Sequence, residues 1–228
     1  MLTAIIVAGG ASRRMGFDKT FALLGEKPVV AHTIAAFEAA NCVGEIVLVG
    51  QAERLDDLRA LIAQHRFVKV RNVVAGGSHR QNSVAAGLDV LGPDCRYVAL
   101  QDAARPLVTV GQIERVFEAA RVHNGAALAA PVTDTLKRAA EDHFVCDSIE
   151  REGVFAMQTP QMFLRELIVE AYAFVATRQL SITDEVSAVE HLGRRVFLVP
   201  NEELNPKITF PGDLTVAEIL MARRQATA

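Results

Sequence analysis

Apolar positions along the 228-residue chain fall into two rhythms. Short runs of strand length, Leu2 to Ala8, Ile46 to Val49, Val68 to Val74, Tyr97 to Leu100 and Val196 to Val199, fit strands; in the first, Ile5, Ile6 and Val7 suit a strand buried on both faces. Between them, apolar residues recur at helical spacing. Pro28 to Ala40 predicts a helix, with Pro28 suited to a first turn and Val30, Ile34 and Phe37 on one face. Leu55, Leu58, Leu61 and Ile62 stripe a second helix, Ser83 to Leu91 forms a third, and Ile113, Val116, Phe117 and Ala120 mark a fourth, followed by the apolar run Ala126 to Pro131. Leu164, Leu167, Ile168, Ala171 and Val175 line a fifth, and Asp184 to Leu192 and Pro211 to Arg224 supply two more. This alternation predicts an α/β chain, a Rossmann-like, mostly parallel twisted sheet with helices on both faces. With no internal repeat or low-complexity linker, residues 1–228 read as a single domain.

One stretch breaks the rhythm. From Thr133 to about Phe155, Thr135 to Ala139 and His143 to Ile149 are short, mostly polar segments around Ala140-Glu141-Asp142, the pattern of a β-hairpin. Its apolar surface is too small to hold it up alone. It is expected to be a protruding arm, residues 134–155, that packs on a second subunit; a mobile surface hairpin is the competing account.

In parallel sheets, ligands sit beyond the carboxyl ends of the strands. Three polar, glycine-bearing or charged segments follow predicted strands: Gly9 to Lys19, Gly76 to Asn82 and Gln101 to Arg105. In the first, Gly9 and Gly10 let a ligand approach the backbone amides, and Arg13, Arg14 and Lys19 place three cations within seven residues. Donors plus fixed cations suit a polyphosphate. Neither Gly-x-Gly-x-x-Gly nor Gly-x4-Gly-Lys-Ser/Thr is present here, so the grip is not that of a standard dinucleotide fold or P-loop.

Net charge near −3 gives no reason to expect nucleic acid, so anionic ligands must be met by local cation clusters. Cys42, Cys95 and Cys146, widely spaced, fit reduced structural thiols, and the six histidines lack metal-ligand spacing. No apolar run reaches membrane-spanning length and no targeting segment opens the chain, which leads us to expect a soluble, cytoplasmic protein without membrane partners.

Asp102 follows the fourth strand, where a carboxylate next to a nucleotide-sized site can bind magnesium or a sugar hydroxyl. Arg105 can reach an anionic substrate group; an Asp–Arg pair that only stiffens the loop is the alternative. Gly76 to Ser83 can read a base edge or ribose through amides and hydroxyls, or be a simple turn closed by its serine.

Taken in order, these motifs resemble the cytidylyltransferases that act on 2-C-methyl-D-erythritol 4-phosphate in the non-mevalonate isoprenoid pathway. The resemblance runs from Ile5 to Leu220: the opening loop with Arg13-Arg14-Met15 and Lys19, Gly76-Gly77 with Arg80 and Ser83, then Asp102-Ala103-Ala104-Arg105-Pro106 and Asp134-Thr135-Leu136-Lys137. Arg151, Thr159-Pro160-Gln161-Met162-Phe163, Ile182-Thr183-Asp184-Glu185 and Asn205-Pro206-Lys207-Ile208-Thr209 complete the set. The first motif is shared by many nucleotidyltransferases; the Asp-Ala-Ala-Arg-Pro, Thr-Pro-Gln and Thr-Asp-Glu series is specific.

The resemblance implies transfer of CMP from CTP to the phosphate of methylerythritol phosphate, with release of pyrophosphate. It implies that Arg14, Lys19 and Lys207 stabilise charge on the α-phosphoryl group. Ala8, Gly9, Gly10, Ala11 and Ser12, with Gly77, Ser83 and Asp102, would hold CTP. Asp102, Arg105, Thr135, Arg151, Thr159, Thr183 and Lys207 would hold the acceptor. It further implies Mg2+ as cofactor with Asp102 as its protein ligand, and a homodimer in which the arm bearing Thr135 and Arg151 reaches the partner's site. Gln101 stands where the family usually has histidine, and Gly9-Gly10-Ala11-Ser12 is closer to the loop of molybdenum-cofactor nucleotidyltransferases. Asn201 stands where glycine is common, a place asparagine can fill in a left-handed turn. Those molybdenum-cofactor enzymes, CDP-ribitol-forming relatives and a nucleotide-binding regulatory module are the other readings. No Ser-His-Asp arrangement appears, and the implied chemistry needs no general base because the attacking phosphate is already ionised. Positioning and fixed positive charge carry such a reaction.

Overall fold

The computed structural model describes residues 1–10 and 15–227. In chain order it begins β1 (Leu2–Val7), β2 (Leu23–Leu24), β3 (Lys27–Pro28), α1 (Val29–Ala39), β4 (Val43–Gly50), α2 (Leu55–His65), β5 (Val70–Ala75) and α3 (Arg80–Leu88). There follow β6 (Tyr97–Asp102), α4 (Val110–His123), β7 (Gly125–Pro131), β8 (Leu136–Ala139) and β9 (Val145–Ile149). The chain closes with β10 (Phe155–Leu164), α5 (Arg165–Thr177), α6 (Glu185–His191), β11 (Phe197–Pro200) and α7 (Pro211–Thr227).

A seven-stranded sheet in the order β11-β7-β10-β6-β1-β4-β5 is the frame. Every neighbouring pair is parallel except those of β10, which runs antiparallel to both β6 and β7. This is the expected mostly parallel α/β sheet, with one strand the periodicity did not announce. Alternate residues of the central strands feed opposite layers, as the two-residue strand period requires. Leu2, Ala4 and Ile6 of β1 pack with Val30, Ile34 and Phe37 of α1 and with Ile113 and Val116 of α4. Ile5 faces the other way, into a layer built with Val84 of α3, Ile168 and Ala171 of α5 and Val189 of α6. Gly87 lets α3 lie close on the sheet: a Cβ there would sit 2.6 Å from Ile5 Cγ2. The close approach anchors α3 on β1, β4 and β5, and the side chain of its first residue, Arg80, reaches Asp102 at the end of β6.

β8 and β9 form the expected antiparallel hairpin, separate from the main sheet. Nearly every residue of it is exposed, including Phe144 at 75% and Val145 at 64%, so within one chain the arm covers and is covered by almost nothing. Among the described residues no helix is long and apolar enough to cross a membrane.

Candidate active site

The carboxyl ends of β1, β4, β5 and β6 open onto a cleft of about 830 Å³, within the size range of small-molecule sites. Ala8, Gly9 and Gly10 line it after β1, Gly77 and Ser83 after β5, and Asp102 at the end of β6. These are all the described members of the expected nucleotide set. Ala11, Ser12 and Arg14, also expected here, lie outside the described residues, as does Arg13. Gly50 to Glu53, after β4, form a further wall that the sequence did not single out. The Gly76–Ser83 turn is built around its serine. Ser83 Oγ accepts from the Gly77 amide at 3.2 Å and donates to the His79 carbonyl at 3.3 Å. A Cβ on Gly76 would stand 2.5 Å from that oxygen, so the turn closes only around glycine. The serine thus closes the turn, as the simpler reading has it, and also lines the cleft.

A second hollow of about 360 Å³ adjoins the first. Arg105, Thr159 and Thr183, expected to hold the acceptor, line it. Arg80, Asp102 and Lys207 line both hollows and so form the partition between them. Lys19 lines the first hollow with Lys207. Its Nζ donates to the Ile208 carbonyl at 2.9 Å, next in chain to Lys207, so the two lysines converge on one cleft from opposite ends of the sequence.

Both lysines are held by backbone placed for the purpose. The segment carrying Lys207 is pinned at three points: the Ile208 amide to the Ala104 carbonyl at 2.8 Å, Asn205 Nδ2 to the Thr159 carbonyl at 3.1 Å, and the Asn201 amide to the Ala129 carbonyl at 2.8 Å. Asn201 is not among the residues with positive φ, contrary to the left-handed turn considered for it. Its side chain is what matters there, donating to the Glu203 carbonyl at 2.7 Å and accepting from Gln112 Nε2 at 3.1 Å. Near Lys19, Asp18 pairs with Arg54 at 3.2 Å, whose guanidinium lies 4.0 Å from the Phe21 ring centroid. The 51–54 segment thereby braces the opening loop, helped by Gln51 Nε2 donating to the Gly10 carbonyl at 3.0 Å.

Asp102 is the electrostatic hub. Its Oδ2 is 2.7 Å from Lys207 Nζ, its Oδ1 accepts from Arg80 Nε at 3.1 Å, and Arg105 Nε stands 3.9 Å away. Burial works against its charge, but Arg80, Lys207 and Arg105 outweigh burial and hold the carboxyl well below the usual carboxylate range. Its own amide donates to Thr159 Oγ1 at 3.1 Å, tying β6 to β10. Arg105 is held by the Asn205 carbonyl at 2.7 Å and the Met157 carbonyl at 3.3 Å; burial lowers its pKa, against the pull of Asp102.

At Asp102, the expected ligand to Mg2+, the carboxylate charge is already met by Arg80, Lys207 and Arg105, and among the described residues no three His, Cys, Asp or Glu side chains cluster to hold the ion without a nucleotide's phosphates. Thr135 and Arg151 line neither hollow. Both are exposed, and Arg151 Nη1 donates to the Thr133 carbonyl at the base of the arm. Gln101 is fully buried; its Nε2 donates to the Asp102 carbonyl at 3.1 Å and its Oε1 has no partner.

Sequence reasoning gave no role to Arg80, Glu185 or Tyr172. Arg80 Nη1 donates to Glu185 Oε1, which also accepts from the Tyr172 hydroxyl at 3.0 Å. Burial opposes the charge on Arg80, but Glu185 and Asp102 prevail and raise its pKa. Burial and the Glu185 carboxylate push the Tyr172 hydroxyl up. The signals in the sequence are the place of Arg80 in the motif with Gly76-Gly77 and the position of Glu185 directly after Thr183-Asp184.

Known proteins share the sequence and the fold of this chain. A family model described as "2-C-methyl-D-erythritol 4-phosphate cytidylyltransferase" matches residues 2–223. The chain is 38% identical over 227 residues to the protein of that name from Pelotomaculum thermopropionicum, covering 98% of this chain and 95% of that one. It is 39% identical over 221 residues to the one from Dehalococcoides mccartyi strain CBDB1, covering 96% of each. Among solved structures it is similar to the 4-diphosphocytidyl-2C-methyl-D-erythritol synthase of Anaerococcus prevotii, with a TM-score of 0.87, 27% identity and coverage of 98% of this chain and 96% of that one. The Francisella tularensis 2-C-methyl-D-erythritol 4-phosphate cytidylyltransferase superposes with a TM-score of 0.83 at 26% identity, covering 96% of this chain and 99% of that one.

Proposed function

The chain belongs to the 2-C-methyl-D-erythritol 4-phosphate cytidylyltransferase family, and on that premise we propose that it transfers CMP from CTP to the phosphate of 2-C-methyl-D-erythritol 4-phosphate. The products are 4-diphosphocytidyl-2-C-methyl-D-erythritol and pyrophosphate, in isoprenoid biosynthesis. The observation that carries this reading is the partition of Arg80, Asp102 and Lys207 between two adjoining hollows. CTP takes the larger, its triphosphate over the glycine loops, and the acceptor takes the smaller.

An oxygen of the acceptor phosphate attacks the α-phosphorus, the bond from that phosphorus to the bridging oxygen of the β-phosphate breaks, and pyrophosphate leaves with the electron pair. No proton need be removed, so the work is to bring two anions together and to stabilise charge at five-coordinate phosphorus. Lys19 and Lys207, with Arg14, supply that charge; fixed cations that need no reorganisation are worth most where water is scarce. Asp102 keeps Lys207 and Arg80 from collapsing outward and receives an acceptor hydroxyl. No cluster of side chains among the described residues would hold magnesium by itself, so the ion would come with the nucleotide and would supply positive charge to the leaving pyrophosphate, in keeping with its preference for phosphate and water ligands.

Residues 1–228 act as one nucleotidyltransferase domain, and residues 134–155 as its dimerisation arm. In a homodimer the arm sets Thr135 and Arg151 over the partner's smaller hollow, which explains why a hairpin with Phe144 and Val145 outside the core persists. Its proposed compartment is the cytoplasm.

Pyrophosphate release from a substrate panel tests the reading. CTP with methylerythritol phosphate should turn over, and neither GTP with that acceptor nor CTP with ribitol 5-phosphate should exceed a small fraction of its kcat/KM. Preference for GTP or for the ribitol ester would overturn it.

A further inference from the structure

Glu185 is fully buried, yet it is acidic and sits among Val186, Val189 and the other side chains of one apolar layer. An ionised carboxylate at that depth is costly unless it is paired and hydrogen-bonded. Here one oxygen takes the Arg80 guanidinium and the Tyr172 hydroxyl, while Oε2 has no partner at all. A group kept there at such cost, with half its hydrogen-bonding capacity unused, calls for an account beyond packing.

The backbone around it is built to fix its place. Gln161 Oε1 accepts from the Glu185 amide at 3.2 Å and the Val186 amide at 3.1 Å, while Gln161 Nε2 donates to Asp184 Oδ2 at 2.9 Å. Asp184 Oδ1 in turn caps α6, accepting from the Ser187 amide at 3.0 Å. The first turn of α6 is therefore bolted to β10, and Glu185 is presented to the start of α3 at a set distance. From there Arg80 runs on to Asp102, its Nε 3.1 Å from Oδ1. One continuous series of contacts leads from Gln161 through Glu185 and Arg80 to the carboxylate that holds Lys207.

Resting on the reading given above, we infer that Glu185 is a positioning residue for the transfer reaction: it fixes the Arg80 guanidinium on the partition between the two hollows and, through it, the Asp102 carboxylate. Arg80 touches both hollows, whereas Glu185 lines neither. With Glu185 in place, Nη1 and Nε are spoken for and the guanidinium plane has one orientation. Without it, Arg80 is free to turn both nitrogens on Asp102, drawing that carboxylate away from Lys207. Displacements of about 1 Å from a change outside the reacting centre can cost on the order of a hundredfold in rate.

The test is a double-mutant cycle in the full-length protein with Glu185→Gln, Arg80→Lys and the pair combined, measuring kcat, both KM values and Tm. Glutamine keeps the shape and an acceptor but removes the charge; lysine keeps the charge but loses the two-pronged geometry. Each single variant should lower kcat about tenfold to a hundredfold, by the same argument. The double variant should fall no further than the worse single one, because both break the same link. A Glu185→Gln variant with parental kcat and KM values, or a double variant whose losses multiply, overturns the inference. Should Glu185→Gln not fold, Arg80→Lys decides: parental kcat there overturns it equally. A parental protein without turnover overturns the functional reading and this inference together, whereas an active parent with an indifferent cycle overturns this inference alone.

Discussion

Lys207→Ala is expected to lower kcat by about a hundredfold to a thousandfold while moving the KM for CTP far less, the range seen when one preorganised charge-stabilising donor is lost. Lys207 lines both hollows and sits 2.7 Å from Asp102, so on the proposed reading its ammonium group stands where the attacking and receiving phosphoryl groups meet. On the proposed reading CTP has other holds, the amides of the Gly9–Gly10 and Gly76–Gly77 turns that line the larger hollow, and these act on the ground state whether or not Lys207 is present. A cation that meets charge only as it builds on the α-phosphoryl group shows its loss in kcat. Removal of Lys207 also leaves Asp102 with less compensation, though Arg80 remains 3.1 Å away to hold it. Lys19→Ala should behave in the same sense. Steady-state kinetics in which only the KM for CTP rises would take these lysines out of transition-state stabilisation.

Arg151→Ala is expected to lower kcat/KM for the acceptor by about a hundredfold, the cost of truncating one member of a charge-assisted contact to phosphate, with CTP affinity by calorimetry unchanged. Which chain supplies the arginine decides the outcome. Within one chain Arg151 is exposed, lines neither hollow, and binds only a carbonyl at the arm's own base. In the proposed homodimer its effect comes through the second subunit. Mixed dimers isolate this. Arg151→Ala and Lys207→Ala chains, refolded together, should recover about a quarter of parental activity, since half of randomly paired dimers are mixed and each carries one complete site. Additive residual activity, or a monomer by light scattering at micromolar concentration, would contradict the composite site.

Much of this architecture is legible in the residues, and the failures have physical causes. Val30, Ile34 and Phe37 are fully buried in α1 as their spacing requires, and Ile168, Ala171 and Val175 likewise in α5. Helices with one-sided stripes reveal themselves because a single periodicity governs them. β10 escaped because Gln158, Thr159, Pro160 and Gln161 interrupt its apolar residues, and proline within a run argues against a central strand. In the structure the register with β7 is irregular between Met157 and Gln161, so the segment departs from ladder geometry where the proline falls. α3 begins at Arg80 rather than Ser83 because its first turn is polar and faces the cleft, leaving no apolar period to read. β2 and β3, of two residues each, are too short to carry any pattern.

At the site, the motif residues following each strand were legible because a parallel sheet sends every such loop to one edge. What they could not disclose is pairing across the chain. Arg80 and Glu185 are 105 positions apart, and no local rule connects them. The same holds for Asp102, whose carboxylate reads from the sequence as a metal ligand and whose ion pairs with Arg80 and Lys207 only the fold discloses.

The central claim is that folding gathers cations on a partition where two phosphoryl species meet, and the ternary complex tests it most directly. A crystal structure with the acceptor and a CTP analogue carrying a methylene bridge between the α- and β-phosphates should place an acceptor phosphate oxygen about 3–3.5 Å from the α-phosphorus, opposite the leaving bridge. The ammonium groups of Lys19 and Lys207 should both contact that α-phosphoryl group. A complex in which the two ligands occupy hollows that do not share Asp102 and Lys207, or in which the lysines face away from the α-phosphorus, would contradict the account.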